Sequence, residues 1–236
     1  PKASGVVPDG HLWIAKFPSL RDGHDRGAWE YIVGSRGEGC GLRGSPMNAE
    51  RYASEHHCFR VKRFDRSAQG RRLHFASAMT LTGHTDGDDA STGVSYLELA
   101  RVLVTQGADT QADLRELWCR ILFNVLVSNT DDHLRNHGFL MEPGRGWRLS
   151  PAYDMNPDRY GHGLKLNISE HDNALDLELV RSVAGIFRVP LPEADTLIER
   201  FRGVVNQWPT LANAVGISRR EQDEMSPAFK LSKGAQ

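Results

Sequence analysis

A run of apolar residues at helical spacing, ending in a short and intensely polar loop, constrains this chain more than any other feature. Leu114, Leu117, Trp118, Ile121, Leu122, Val125 and Leu126 recur at intervals of three and four, the period that lines one face of an α-helix. Beyond Ile121 the apolar positions cover most of the circumference, so this helix must be packed on nearly all sides. Asp113 and Glu116 stand early in it, where the helix dipole favours carboxylates. Such a helix belongs at the centre of a mostly helical body. At its C-terminal end comes Ser128-Asn129-Thr130-Asp131-Asp132-His133-Leu134-Arg135-Asn136, with two adjacent carboxylates, a histidine and two carboxamides.

The segment after this loop returns toward it. Gly138-Phe139-Leu140-Met141 reads as a strand, Pro143-Gly144-Arg145-Gly146 as a turn, and Trp147-Arg148-Leu149 as the returning strand. A hairpin this tight lays its ends side by side, so Asn136 entering it and Asp154 leaving it face one cleft. Phosphoryl transfer needs a carboxylate to accept a hydroxyl proton, hard oxygen ligands for magnesium, and a cation on the phosphates. Asp131, five residues before Asn136, is the candidate base, and Asn136 and Asp154 are the candidate magnesium ligands. Asp132 competes with Asp131, and the five-residue spacing favours Asp131. His133 reads as a hydrogen-bonder of the loop. The plain alternative is that Asp131 and Asp132 cap a turn and Asp154 closes an Asx-turn.

The candidate cation lies far upstream. His11-Leu12-Trp13-Ile14-Ala15-Lys16-Phe17-Pro18 reads as a strand, preceded by an Asp9-Gly10 turn and so by a hairpin. Lys16 taken alone is a solvent-facing strand lysine. Residues 28–33 read as helix, with Glu30 near its start. A strand lysine followed by a helix glutamate is the order that fixes a phosphate-binding lysine, and a surface carboxylate at a helix N-terminus is the simpler reading of Glu30. Residues 34–50 are Gly-rich without a dinucleotide fingerprint and read as loop. Residues 56–66 read as a strand with a basic end, and His56 and His57 point to opposite faces, which disfavours a shared ion. Residues 83–94 read as a surface loop without the closing glutamate of a calcium site. Residues 96–104 continue as helix, 164–175 alternate like a strand, and helices follow over 176–187, 192–208 and 218–225.

Composition narrows the class. At 236 residues with a net charge of −1, the chain suits one large domain or two lobes sharing a cleft, and nothing global draws it to nucleic acid or an anionic membrane. Three scattered cysteines without a Cys-x-x-Cys pair argue for a reducing compartment and against structural zinc. No apolar stretch is long enough to span a bilayer, and no signal peptide is visible. The expected fold is α+β: a protein-kinase-like two-lobed fold, with a small β-containing N-lobe over 1–68 and a mainly helical C-lobe over 69–236.

The segments from Asn129 to Phe139 and from Trp147 to Pro157 closely resemble the HipA-type serine/threonine kinases, the toxins of bacterial toxin–antitoxin pairs. Ile14-Ala15-Lys16-Phe17-Pro18 is similar to that family's ATP-lysine strand, Val61-Lys62-Arg63-Phe64-Asp65-Arg66 to its hinge, and the segment from Ile168 to Asp176 is also typical of it. The resemblance implies a bacterial cytoplasmic enzyme that uses ATP and Mg2+ to phosphorylate serine or threonine on a protein. It implies Asp131 as base, Asn136 and Asp154 on magnesium, and Lys16 on the phosphates. Glu30 and His133 join the nucleotide-binding set, and hinge backbone around Lys62 and Phe64 meets adenine. It also implies a HipB-like antitoxin partner, which would supply any DNA contact, and no membrane association. The family carries a small domain and a phosphate-binding loop that ends in a Pro-Lys-Ala-Ser-like segment; this chain begins at Pro1-Lys2-Ala3-Ser4, so it is expected to lack the small domain and most of that loop. Rival readings are a small-molecule phosphotransferase, a truncated or inactive kinase fragment acting as a binding module, and a metal hydrolase on Asp131, Asp132, His133 and His137.

Overall fold

Two extended runs meet at a glycine turn to begin the structure, a computed structural model that describes residues 1–7, 10–19, 21–67 and 69–234. β1 (Lys2–Val6) and β2 (Leu12–Lys16) pair antiparallel, with Lys2 opposite Lys16. Gly10 stands at φ +81°, which a residue without a Cβ adopts freely. Asp9, its partner in the expected turn, lies outside the described residues. β4 (Cys58–Lys62) pairs with β2, and β3 (Met47–Glu50) with β4, so the sheet runs β1-β2-β4-β3. Ile14 stands opposite Val61 and Lys16 opposite Phe59, which puts all four on one face.

The expected loop over 34–50 is a correction. α1 (Arg26–Gly39) runs through the first glycines, and β3 begins at Met47. A Cβ at Gly34 would sit 2.6 Å from Met47 Sδ, and one at Gly37 would sit 3.3 Å from Met155 Cε. The glycines cost α1 roughly 1 kcal/mol each in propensity, but they let β3 and the Asp154 segment pack against it.

The second sheet, β5-β6-β7, joins β5 (Phe75–Ser77) to the expected hairpin of β6 (Gly138–Glu142) and β7 (Gly146–Leu149). β5 and the short α2 (Ala78–Thr82) carry no strong periodicity and were not anticipated. α3 (Tyr96–Gln106) precedes α4 (Thr110–Leu126), the helix expected at the centre. Leu114, Leu117, Trp118, Ile121, Leu122, Phe123, Val125 and Leu126 are all 0% exposed, and each such side chain contributes roughly 1.5–3 kcal/mol on burial. The expected helix over 176–187 is α5 (Leu177–Ser182) followed by a 3-10 turn, Ala184–Phe187. The one over 192–208 is α6 (Leu191–Val205), and an unanticipated α7 (Trp208–Val215) precedes α8 (Arg219–Met225). Over 164–175, Leu164, Leu166 and Ile168 are buried as alternation demands, but pairing is limited to isolated bridges such as Ser95 with Asn167. The Trp29 ring of α1 lies 5.6 Å from that of Trp208, tilted by 51°, seating the first sheet's helix on the helical body. Among the described residues no helix is long and apolar enough to cross a membrane.

Candidate active site

α4 carries a buried polar stripe. Asp113, Glu116, Arg120 and Asn124 recur at three and four and are all buried, so each needs partners. Asp113 accepts from Arg43 at 2.5 Å, from Arg148 Nε at 2.9 Å and from the Leu149 amide at 2.9 Å. Glu116 accepts from the Arg43 amide and from Arg120, while Arg120 donates to the Ser150 carbonyl at 2.6 Å. Asn124 donates to Asp132 and accepts from Asn129. The stripe fixes three cleft-lining pieces to one rigid helix: the segment after α1, the start of the Asp154 arm, and the polar loop.

Asp131 and Asp132 take opposite roles in the packing. Asp132 is buried, and its Oδ2 accepts from Tyr96 Oη at 2.6 Å and from Asn124 Nδ2 and His137 Nε2 at 2.7 Å. Asp131 is exposed. Asn136 donates through Nδ2 to the Asp131 carbonyl at 3.1 Å, which leaves its Oδ1 for a cation. His133 Nδ1 accepts from the Arg135 amide at 3.3 Å, the loop-bracing bond expected of it. A further set of bonds ties this loop to the arm beyond Asp154. Thr130 Oγ1 donates to Asp158 at 2.7 Å, the Asn156 amide to Asn129 at 3.2 Å, and the Asp158 amide to the Ser128 carbonyl at 3.0 Å.

Lys16, Glu30 and Asp154 converge. The Lys16 ammonium lies 2.5 Å from Glu30 Oε1 and 2.5 Å from Asp154 Oδ1. Burial works against the charged lysine, yet the two carboxylates outweigh it and its pKa is raised. Burial pushes Glu30 up to about 7 despite Lys16. Burial also opposes ionisation of Asp154, but the attraction of Lys16 and its hydrogen bond hold that carboxyl below its usual range. Asp154 adopts φ +60°, a left-handed conformation uncommon outside glycine and tolerated best by Asp and Asn.

Two hollows meet at this triad. The first, about 630 Å³, lies under the sheet face of Ile14 and Val61. Its wall includes Phe64, whose ring centroid is 5.5 Å from Tyr153 and 6.0 Å from Phe75. Lys62 and Phe64 line it at the strand end. The Lys62 amide donates to the Pro46 carbonyl and the Arg63 amide to the Leu12 carbonyl, each at 2.9 Å. The Phe64 amide has no partner among the described residues. The second hollow, about 710 Å³, includes Asp131, Asp158, Arg159 and the start of α1. Lys2, Lys16, Glu30, Asn136 and Asp154 line both. Both volumes lie in the range of small-molecule sites, roughly 300–1,000 Å³. The oxygens of Asn136 and Asp154 suit a hard divalent cation, and the Lys16 ammonium marks one of them as a cation position. The hydrolase reading finds no cluster, since no group of three or more His, Cys, Asp or Glu among the described residues could hold a metal.

A small antiparallel sheet over a helical body, with a lysine–glutamate pair and a second acid in the cleft between, defines a kinase-like α+β protein. The chain belongs to the HipA-like C-terminal domain family, whose model matches residues 1–225. A Haemophilus influenzae protein named as a putative kinase is 32% identical over 101 residues, covering 41% of this chain and 29% of that protein. The Sinorhizobium fredii putative kinase Y4dM is 34% identical over 96 residues, covering 40% and 22%. These matches thus span less than a third of the curated relatives' length. Among solved structures, HipA of Shewanella oneidensis MR-1, from a complex with HipB and operator DNA, superposes with a TM-score of 0.71 at 19% identity over 93% of this chain and 56% of that one. The Helicobacter pylori proinflammatory kinase CtkA gives 0.64 at 13% identity, covering 98% and 90%. The expected α+β, kinase-like fold is therefore the observed one.

The residues that sequence reasoning missed are the stripe on α4 and the latch partners Thr130 and Asp158. The stripe had a signal: polar positions at 113, 116, 120 and 124 keep the same period as the apolar ones. Asp158 had none, because its partner comes from a different segment.

Proposed function

We propose that this chain is the nucleotide-binding and catalytic part of an ATP-dependent serine/threonine protein kinase, with residues 1–68 as the smaller lobe and 69–236 as the helical one. The observation that carries this reading is the Lys16–Glu30–Asp154 triad on the wall between two hollows, with Asn136 beside it and Asp131 on the second. In this reading the first hollow holds the nucleotide. Phe64, with Tyr153, forms an aromatic wall for the base, and the free Phe64 amide is the hinge donor. Lys16, held by Glu30, neutralises phosphate oxygens, and His133 braces the loop along the nucleotide side. Asp154 and Asn136 hold Mg2+, which when bound neutralises charge on the phosphates. Asp131 orients the acceptor hydroxyl and takes its proton.

The acceptor is a protein hydroxyl, and the molecule acts in the bacterial cytoplasm as a toxin neutralised by a HipB-like partner that carries the DNA contact. The complex named for the Shewanella structure supports the partner. The near-neutral charge of −1 fits indirect DNA contact. Calorimetry with Mg-ATP on the parent and on Asp154→Asn tests the site: the parent binds, and Asp154→Asn does not. A phosphate-transfer assay on serine- and threonine-containing protein then separates the parent from Asp131→Ala, which binds nucleotide and transfers nothing. Binding unaffected by Asp154→Asn would remove the metal site from this position.

A further inference from the structure

The charges around the second hollow are unevenly spent. Apart from Asp131, the proposed base, its acids are engaged. Glu30 and Asp154 hold Lys16. Asp22 accepts from the Ser19 amide at 2.7 Å. Asp158 accepts from Thr130 at 2.7 Å and from the Tyr160 amide at 2.8 Å. Behind the start of α1, Asp25 accepts from the His57 ring, the His57 amide and the Ala28 amide. Glu221 accepts from the Asp25 amide and from Trp29 Nε1, each at 2.8 Å.

The cations at the start of α1 are not matched in the same way. Arg26 is the first residue of α1, and its side chain is 72% exposed. Its Nε lies 3.7 Å from Asp22, beyond hydrogen-bond reach. Arg159 is bonded to Glu224 at 2.9 Å, but Glu224 also accepts from Arg220 at 3.0 Å, so one carboxylate serves two guanidinium groups. Arg159 rests over the Tyr160 ring at 4.9 Å, a contact that orients the guanidinium and keeps its charge. His24 feels both arginines: burial, then the charges of Arg26 and Arg159, hold its pKa below the usual range. The neutral ring has one N–H to give, and it has no hydrogen-bond partner among the described residues. Arg26, His24 and Arg159 all line the second hollow.

This cationic corner is close to the reacting groups. Arg26 stands one turn before Glu30, so the two side chains leave α1 on the same side, about 6 Å apart along the axis. Asp158 is tied to Thr130, the residue before Asp131, and Arg159 follows Asp158 directly. A hollow of about 710 Å³ spans roughly three extended residues. A guanidinium group pairs with a carboxylate through two parallel hydrogen bonds, so the side chain that suits this corner is an acid.

We propose that the acceptor protein carries an aspartate or glutamate within about three residues of its phosphorylated hydroxyl, and that Arg26, with Arg159 and His24, binds that carboxylate. The proposal rests on the kinase reading above and names its substrate class. The test is fluorescence anisotropy at low salt with short labelled peptides. They hold alanine at the acceptor position and glutamate, glutamine or lysine at each neighbouring position in turn. At one position the glutamate peptide binds the parent about tenfold tighter than its glutamine counterpart, as one charge-assisted contact predicts. Arg26→Gln cuts that ratio below about threefold, and Arg26→Glu shifts the preference to the lysine peptide. Thermal melts of both variants match the parent, because the side chain is exposed. Equal or absent binding of the three peptide types by the parent overturns the assignment, as does a glutamate preference that Arg26→Glu leaves intact. The same peptides with serine restored separate this from the reading beneath it. Phosphorylation of any of them with Mg-ATP keeps the kinase reading, whatever the anisotropy shows. Glutamate-selective binding with no transfer to any peptide ends the kinase reading and leaves the corner as a carboxylate site.

Discussion

The ammonium of Lys16 and the carboxylate of Asp154 lie 2.5 Å apart although 138 positions separate them. Lys16 belongs to the first sheet and Asp154 to the arm that leaves the second. Glu30 of α1 completes the contact. An ion pair of this kind is costly to desolvate and is repaid only by good geometry. The contact therefore fixes how the sheet is seated over the helical body at the place where the two hollows touch.

Asp131 and Asp132 should separate activity from stability. Asp132→Ala leaves the donors of Tyr96, Asn124 and His137 buried without their acceptor. The cost is roughly 3–5 kcal/mol, read as a fall of many degrees in Tm. Asp131→Ala changes an exposed side chain, melts within a degree or two of the parent, and transfers no phosphate. Matching melts for the two variants would contradict this division.

Glu30 gives a pH signature. Its carboxyl is raised by burial from 4.5 to about 7, so the folded chain keeps a proton that the unfolded chain releases. Its contribution to stability is complete below pH 4.5 and is lost as pH rises through 7. Asp154 has the opposite sign, because Lys16 overcomes burial and holds it below 3.8. Its contribution is present above that value and is lost in acid. Glu30→Gln removes the first trend and keeps the second. Urea midpoints measured from pH 4.5 to 8 should fall for the parent relative to Glu30→Gln, and a constant gap would exclude the raised carboxyl.

Two helix glycines should respond oppositely to alanine. At Gly203 in α6 nothing lies within 4 Å of an added Cβ, so Gly203→Ala stabilises by about 0.5–1 kcal/mol through propensity. At Gly27 in α1 the Cβ would sit 2.2 Å from the His57 carbonyl oxygen. The backbone of His57, just before β4, cannot yield as a side chain can, so the clash exceeds the propensity gain. Gly27→Ala destabilises by several kcal/mol. Denaturant titrations of both variants check the sign.

The latch between Thr130 and Asp158 predicts a split in kinetics. Thr130→Val removes the hydroxyl that donates at 2.7 Å to Asp158 and loosens the loop that carries Asp131. Misplacement on the scale of 1 Å lowers kcat up to about 100-fold. The KM for ATP stays near the parent value, since the latch does not touch the first hollow. Thr130→Ser keeps the donor and restores most of the rate. Equal changes in kcat and KM for both variants would assign Thr130 a bulk packing role instead.

What could be read in advance follows the range of the forces involved. The central helix and the β6–β7 hairpin are local, and their periodicity and turn residues fix them. That Asp131, Asn136 and Asp154 come near one another could be read in advance because one short hairpin joins their segments, and all three line the second hollow. The continuation of α1 past Gly34 was not, because it depends on how closely Met47 and Met155 approach, which no local propensity records. α7 was missed for a related reason: Pro209 near its start lies in the first turn, where proline is tolerated, and the helix is held by Trp208 against Trp29. The choice between Asp131 and Asp132 rested on spacing alone, and the partners that bury Asp132 come from α3, α4 and His137.

The shared wall of Lys2, Lys16, Glu30, Asn136 and Asp154 has a consequence for inhibition. If the first hollow holds the nucleotide and the second the acceptor, as proposed above, a molecule that joins an adenosine end to a hydroxyl-bearing peptide end needs no detour through solvent to fill both. Once one end is seated, the other meets its hollow at an effective concentration in the millimolar range for a short linker. Two weak halves then add up to a tight ligand, and its selectivity comes from the acceptor half, where kinases that share a nucleotide differ.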